Sequence, residues 1–471
     1  MDNKATILIL AAGLGTRMSS RKAKVLHEAG GLALVEHVVR AALTIAPADR
    51  VVVVTGHQAE KVESLLAGRG LRFARQTEQK GTGHAVEMCR EVVPDHEGRL
   101  LVLNGDGPLL SPATLTRLVE HHDKAGVAAT VVTTELVNPA GYGRCIVDAA
   151  QYLLAIVEDK VATPQQKTVR LINSGMYCFD ASLLWEWLHK ITPNPVSGEY
   201  YLTDIAGILN AAGHKVSALL HPDPNELLGI NTRVDLAEVE MIFRLRKANQ
   251  LMLSGVTILR PDTVSIDPDV NVGMDSVIEP FAHLTGKTVV GENCRIGAGA
   301  IVSNSLIADD VDIAPYTLIH ASVVESGASI GPFARLRTDN FVGAGSHIGN
   351  FVELKKTRFG EGVKAGHLAY LGDSEIGAGT NIGAGTITCN YDGDKKHKTI
   401  VGEKAFLGSN STLVAPVEVG NQAYVAAGSV ITDGVPPGAL GLGRGRQVNK
   451  EGWVAKRKAT TSSHSQPVDG Q

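Results

Sequence analysis

From about Ile266 to Ile431 an aliphatic residue recurs every six positions, followed by glycine, alanine, aspartate or another small group, as in VGENCR, IGAGAI, IAPYTL, IGPFAR, VGAGSH, IGNFVE and LGSNST. A helix repeats its apolar face every 3.6 residues and a single strand every two. A period of six is the signature of a parallel β-helix built from hexapeptides, three to a triangular coil. Counted from Ile266, the hexads start at Val272, Ile278, Leu284, Val290, Ile296 and Val302, and later run unbroken through Ile330, Leu336, Val342, Ile348 and Leu354. Each inward side chain stacks on its counterpart one coil away, so no repeat buries its apolar face alone. Function is therefore sought outside the stacking positions.

The register drops by one residue at Val302 to Ile307, Ile319 to Val324, Leu354 to Phe359 and Leu371 to Ile376. A larger break follows Thr388, where CNYDGDKKHKTI precedes Val401. A solenoid ejects such an insertion as a loop on one face, often the binding face.

Ahead of the hexads, ILILAA, VVVVT and LLVLNGD are short aliphatic runs, each followed by turn residues and a helical stretch. That alternation marks an α/β domain with a largely parallel sheet, whose ligands sit beyond the carboxyl ends of the strands. Between the two regions, Val234, Ala237, Met241, Leu245, Ala248 and Met252 fall at spacings of three and four. They predict an amphipathic linker helix, capped by Asn231 or Thr232 and stopped at Gly255. The organisation read here is 1–229, 230–254 for the linker helix, 255–447 for the β-helix and 448–471 for a largely disordered tail. The tail is assigned on its poverty in apolar residues.

The chain has 471 residues, 44% of them apolar, with 51 glycines against only 4% aromatics, which suits tight solenoid turns. A net charge of -4 leaves no electrostatic footprint for nucleic acid. Cys89, Cys145, Cys178, Cys294 and Cys389 are dispersed, odd in number and without a CxxC pair. That argues for reduced thiols in a cytoplasmic protein and against a structural zinc site. The opening apolar run is too short to span a bilayer and reads as a buried strand.

At the amino terminus, LAAGLGTRMSSRKAK turns on Gly13 and Gly15 and then supplies Arg17, Arg21, Lys22 and Lys24. Glycines let backbone N–H groups approach phosphate oxygens, and cations just beyond neutralise them. No third glycine of a dinucleotide fingerprint and no Lys-Ser/Thr pair of a P-loop is present. The same region carries QTEQKGTGHAV, NGDGPLL, GYGR, IVEDK and INSGMY. With these motifs the chain resembles the sugar-1-phosphate nucleotidylyltransferases. Joined to the hexads, over roughly residues 5 to 454, it resembles the bifunctional enzymes that combine N-acetylglucosamine-1-phosphate uridylyltransferase with glucosamine-1-phosphate N-acetyltransferase.

The resemblance implies a Rossmann-like nucleotidylyltransferase domain followed by a left-handed parallel β-helix. It assigns Arg17 and Lys24 to the UTP phosphates, Gln76, Gly81 and Thr82 to uracil, Gly141, Glu158 and Asn173 to the sugar, and Asp106 with Asn231 to Mg²⁺. Three positions depart from the family: Leu14 replaces a usual lysine, Ala23 a proline, and Gly107 an apolar residue.

In the hexads, Arg337 and Lys355 each follow the inward leucine and lie 18 residues apart, one coil, so the two cations stack. Like charges side by side repel unless an anion sits between them, which a sugar phosphate supplies. His367 in AGHLAYLGD takes the third position of its hexad and points away from the core. An imidazole accepts a proton near neutral pH. The resemblance makes His367 the general base for acetyl transfer, oriented by Glu353. It gives glucosamine 1-phosphate to Arg337, Lys355, Tyr370 and Asn381, and acetyl-CoA to Ala384, Asn390, Tyr391, Ser409, Ala427 and Arg444. A homotrimer and a product destined for peptidoglycan and other cell-envelope polysaccharides are implied in the same way. The alternative is a monofunctional sugar-1-phosphate nucleotidylyltransferase whose β-helix only trimerises or regulates it.

Overall fold

The run ILILAA forms a strand, Ala5–Ala11 (β1), whose Ile7, Leu8 and Ile9 are all fully buried. Ile7 and Ile9 face one apolar core and Leu8 another, so the strand is covered on both sides and needs no polar face. The other strands of this sheet are Val51–Thr55 (β2), Arg72–Arg75 (β3), Arg99–Asn104 (β4), Ala129–Glu135 (β5), Arg144–Val147 (β6), Leu153–Val157 (β7), Leu171–Asp180 (β8) and Val216–Leu220 (β9). The order is β9-β5-β8-β4-β1-β2-β3, with β6 and β7 branching from β8. β1 lies parallel to β2 and β4, and β8 runs antiparallel to β4 and β5. The carboxyl ends of β1 and β4 therefore open side by side onto the GLGTR turn and onto Asp106.

The structure is a computed structural model and describes residues 5–93, 96, 98–195 and 197–462. The chain divides into two units, Met1–Gln250 with Ile266–Pro268, and Leu251–Ser265 with Asp269–Gln471. The linker helix spans Arg233–Leu253 and ends before Gly255, whose φ is +97°. The predicted stripe is packed only in part: Ala248 is buried, but Val234, Met241 and Leu245 are exposed, while Val239 and Leu251, outside the stripe, are buried. The helix carries two apolar stripes, and spacing alone does not select which one meets a core.

In the second unit, strands of two to four residues stack into three parallel sheets. Sheet I begins at Thr257–Ile258, sheet II at Ser265–Ile266 and sheet III at Asn271–Val272. In sheet II the register couples Leu284, Val302, Ile319, Leu336, Leu354 and Leu371 into one inward column, each at most 1% exposed. The next member is Thr388, buried at 1%. Its hydroxyl accepts from the Gly372 N–H at 2.7 Å and donates to the Gly372 carbonyl at 3.1 Å. The hexad pattern breaks after this polar plug: Cys389 still pairs with Val414, residues 390–398 leave the coil, and Thr399 and Ile400 rejoin it opposite Ser374 and Glu375. At Gly349 the coils approach so closely that an added Cβ would lie 1.7 Å from the Gly366 carbonyl oxygen. Only glycine fits there.

The tail differs from expectation. A helix runs over Trp453–Ser462, and the rest of the assignment, from 463 on, lies outside the described residues. Low apolar content speaks to core burial, but the run of Ala, Lys and Arg has high local helix propensity. Arg457 also lies over the Trp453 ring one turn away, at 5.2 Å.

Truncating the inward column tests its weight. Leu354→Ala is expected to destabilise the β-helix by about 2–5 kcal/mol, and Val289→Ala, at an outward position, by no more than about 0.5 kcal/mol. Denaturant unfolding of the two variants would show equal shifts if the stacking argument is wrong.

Candidate active sites

Gly15 (φ +62°) turns the chain after β1 into the short helical turn Thr16–Met18, and an added Cβ would meet the Lys24 Cβ at 2.7 Å. Arg17 and Lys24 are thereby brought together with Asn231, more than two hundred residues away. Arg17 Nη2 donates to Asn231 Oδ1 at 2.8 Å, and Lys24 Nζ donates to the same oxygen at 3.1 Å. Lys24 also forms an ion pair with Asp106. One ammonium thus sits between a carboxylate and an amide oxygen.

Asn231 is available for this because Thr232 caps the linker helix. The Thr232 hydroxyl accepts from the Asp235 N–H at 3.1 Å, and Asp235 Oδ2 accepts from the Thr232 and Asn231 N–H groups at 2.9 and 2.8 Å. Burial pulls the Asp235 carboxyl upward, but these N–H donors and Arg17 outweigh it and hold it below the usual carboxylate range. The Ile230 N–H donates to the Asp106 carbonyl at 3.1 Å, tying the two oxygen-bearing segments together.

Two adjoining cavities open on this cluster and share Arg17, Thr82, Asn104 and Asp106 as a common wall. The first, about 520 Å³, is lined by Gly13, Gly15, Lys24, Gln76, Gly81 and Glu199 among others. Gln76 is buried, and its amide donates to the Gly81 carbonyl at 3.0 Å. The Thr82 hydroxyl accepts from the Leu202 N–H at 2.9 Å. The second, about 330 Å³, is lined by Gly141, Tyr142, Glu158, Asn173, Thr203 and Asn231 among others. Burial raises the Glu158 carboxyl above the usual range, opposed by the Thr203 hydroxyl that donates to it at 3.2 Å. Asn173 donates to the Tyr177 hydroxyl at 2.8 Å. Every residue assigned from the motifs to this half meets one of the two cavities. Tyr142, Thr203 and Tyr201 line them without having been singled out. Tyr142 was within reach as part of GYGR.

The three departures are locally accommodated. Leu14 is half exposed and lines the first cavity. The Ala23 N–H donates to Gln58 Oε1 at 3.1 Å, a bond proline cannot make. A Cβ at Gly107 would meet nothing nearer than the Asn104 carbonyl oxygen at 3.8 Å.

Among the described residues no group of three or more His, Cys, Asp or Glu assembles into a metal cluster. Asp106 and Asn231 offer two hard oxygens that already converge on one cation, Lys24. That donor set fits Mg²⁺, which keeps several waters and takes one or two carboxylates together with substrate phosphates.

In the β-helix, sheet II pairs Arg335 with Glu353 and Glu353 with Tyr370, which sets Arg337 beside Lys355. Arg337 Nη1 donates to Glu353 Oε1 at 3.1 Å. Glu353 therefore meets Arg337; among the described residues no hydrogen bond joins it to His367. Lys396, from the inserted loop, stands against Lys355, and together with Arg337 it holds that ammonium below the usual lysine range. Lys396 was not singled out from the sequence. The run of lysines in the insertion was its only signal.

His367 ends a sheet I strand, Lys364–His367, in register with Asn350, and its side chain is exposed. The corner it occupies continues upward through Ala384, Ser409 and Ala427. The Asn410 N–H donates to the Ala384 carbonyl at 2.7 Å, the Gly428 N–H to the Ser409 carbonyl at 2.8 Å, and Arg444 to the Ala427 carbonyl at 2.8 Å. Asn390 is buried and donates to Asp373, while Tyr391 is exposed on the loop. Asn381 lies on sheet I, in register with Lys364, and so on a different face from Arg337, Lys355 and Tyr370. One chain does not bring all four together.

Because burial raises the Glu158 carboxyl, the folded state holds this proton more tightly than the unfolded state. Its contribution to stability is present below the ordinary carboxylate range and is lost as pH rises through the raised value. Glu158→Gln should therefore gain stability relative to the parent as pH rises across that window. A pH-independent difference in unfolding midpoint would contradict the burial argument.

Residues 7–167 match the MobA-like NTP transferase domain, 261–345 the GMPPB C-terminal domain, and 398–433 the hexapeptide repeat of succinyl-transferase. A curated protein of Solibacter usitatus named bifunctional protein GlmU is 56% identical over 458 residues, covering 97% of this chain and 98% of its own length. Namesakes in Koribacter versatilis and in Streptococcus agalactiae serotype V are 48% and 45% identical, each over 97% of this chain and 98% of their own.

Proposed function

The chain belongs to the family of bifunctional GlmU proteins, and we propose that it runs their two reactions at the two sites described above. It is an acetyltransferase and a uridylyltransferase: it N-acetylates glucosamine 1-phosphate with acetyl-CoA, then transfers UMP from UTP to N-acetylglucosamine 1-phosphate. The products are UDP-N-acetylglucosamine and pyrophosphate. The observation that carries this reading is a convergent set of charged residues in each unit. Arg17, Lys24, Asp106 and Asn231 converge in the first, and Arg337, Lys355 and Lys396 in the second.

For uridylyl transfer, a phosphate oxygen of the sugar attacks the α-phosphorus of UTP, and the bond to the β-phosphate breaks as pyrophosphate leaves. Both partners are anions, so catalysis rests on neutralising charge and holding the groups in line, with no protein nucleophile. Arg17 and Lys24 face the nucleotide phosphates in the larger cavity. Gln76, Gly81 and Thr82 receive the base, and Gly141, Glu158 and Asn173 hold the sugar in the smaller one. Asp106 and Asn231 would hold Mg²⁺, which supplies further charge neutralisation on the phosphates.

For acetyl transfer, His367 takes a proton from the glucosamine amine as its nitrogen attacks the thioester carbonyl. The N–C bond forms, the C–S bond breaks, and that proton passes to the sulfur, so coenzyme A leaves as the thiol. The Arg337, Lys355 and Lys396 cations receive the sugar phosphate, and the Ala384, Ser409, Ala427 and Arg444 corner receives acetyl-CoA. The placement of Asn381 on another face supports a homotrimer in which neighbouring chains share each site. Five free cysteines support a cytoplasmic location. Among the described residues no helix is long and apolar enough to cross a membrane.

The test is an assay of the purified protein with glucosamine 1-phosphate, acetyl-CoA, UTP and Mg²⁺, following free thiol and pyrophosphate separately. Pyrophosphate without thiol, on supplied N-acetylglucosamine 1-phosphate, would leave the monofunctional alternative. His367→Ala should lower acetyl transfer by about 10²- to 10⁴-fold, partly relieved at higher pH where free amine is abundant, and should spare uridylyl transfer. An acetyl-transfer rate within a few-fold of the parent would remove His367 from this role.

A mixed oligomer tests the sharing of the site. Lys355→Ala and Asn381→Ala, each inactive in acetyl transfer alone, should regain activity when the two chains are co-expressed, because some sites then combine intact faces. Absence of rescue in verified mixed oligomers would assign the whole site to one chain.

A further inference from the structure

A cavity of about 420 Å³ shares no lining residue with the two cavities of the uridylyl-transfer site, and all of its lining belongs to the first unit. Leu109, Leu110 and Phe243 supply apolar walls, and Arg40, Arg246 and Lys247 supply three cations. Its volume is that of a small-molecule pocket, and an apolar lining with a few charges is the usual chemistry of one. Phe243 is set by a stack on the buried His37 ring at 4.3 Å. Arg246 donates to the Leu109 carbonyl at 2.9 Å and pairs with Asp223 at 3.4 Å, and Lys247 donates to the Pro268 carbonyl at 2.9 Å.

This wall is continuous with the uridylyl-transfer site. Leu109 shares one core cluster with Met18, Ile230 and Val239, and Phe243 packs against it. Met18 follows Arg17, Ile230 precedes Asn231, and Leu109 lies three residues beyond Asp106. A displacement of Leu109 or Phe243 is therefore felt by the segments that carry all three polar groups, because a packed cluster transmits strain.

We propose that this cavity is a regulatory site for a small amphipathic organic anion, whose apolar body lies against Leu109 and Phe243 and whose charge meets Arg40, Arg246 and Lys247. Occupancy changes the rate of uridylyl transfer through the Met18, Ile230 and Leu109 cluster. This rests on the assignment of uridylyl transfer to the first unit.

The probe is 8-anilinonaphthalene-1-sulfonate, titrated by fluorescence into the full-length protein. Arg40→Glu combined with Lys247→Glu should weaken binding about tenfold or more, as should replacing the probe by uncharged N-phenyl-1-naphthylamine. Thr44→Trp, which fills the cavity without altering its charge, should also abolish binding and guards against misfolding of the doubly reversed variant. Bound probe should change uridylyl transfer by about fivefold while leaving acetyl transfer unchanged. Both variants should keep the basal rate and lose this response. Equal probe affinity in the parent and both variants, or saturating probe without effect on uridylyl transfer, would overturn the proposal. Absence of uridylyl transfer without probe would instead overturn the functional assignment, and the fluorescence titration would still decide whether the cavity binds an anion.

Discussion

A coil of the hexapeptide helix cannot cover its own apolar residues, so Leu354 is buried only because Leu336 lies on one side and Leu371 on the other. The same register that stacks the leucines stacks whatever follows them. Arg337 and Lys355 are forced side by side, and Lys396 adds a third positive charge from the insertion. Hydrophobic packing thus crowds like charges on the outer face, which the Glu353 carboxylate relieves in part at Arg337. The cation cluster is a consequence of how the core repeats.

The first unit obeys a different constraint with a similar result. Its central strands are buried on both faces, which leaves no place for charge along their length. Polar chemistry is displaced to the carboxyl ends, where the turn after β1 and the segment after β4 meet. There Lys24 is held between Asp106 and Asn231, and Arg17 reaches the same amide oxygen. A carboxylate, an amide and two cations form a compact set that a polyanion and a divalent cation can divide between them. The arrangement depends on Thr232, which caps the linker helix and leaves the Asn231 side chain for the site.

Local pattern made much of this legible. The hexads predicted the inward columns and the four register drops between Val302 and Ile376, because period and side-chain direction are short-range properties of a wound strand. The aliphatic runs predicted β1, β2 and β4, and the motifs that follow them carry residues lining the two cavities. Where several local solutions were compatible with one pattern, the sequence was insufficient. The linker helix had two apolar stripes, and burial chose Val239 over Met241. The tail lacked core-forming residues yet retained helix propensity, and Trp453–Ser462 is helical.

What the sequence by itself determined was the repeat, the register and the identity of the polar groups that line the two cavities and the outer face of the coils. Those follow from the inward or outward direction of each side chain, which neighbouring residues impose. Only the tertiary structure decided which of these groups meet: Asn231 with Arg17 and Lys24, Glu353 with Arg337 and not His367, Lys396 with Lys355, and Asn381 on a separate face. Contacts between segments far apart in the chain arise from packing of whole elements, and no local period encodes which surfaces that packing brings together.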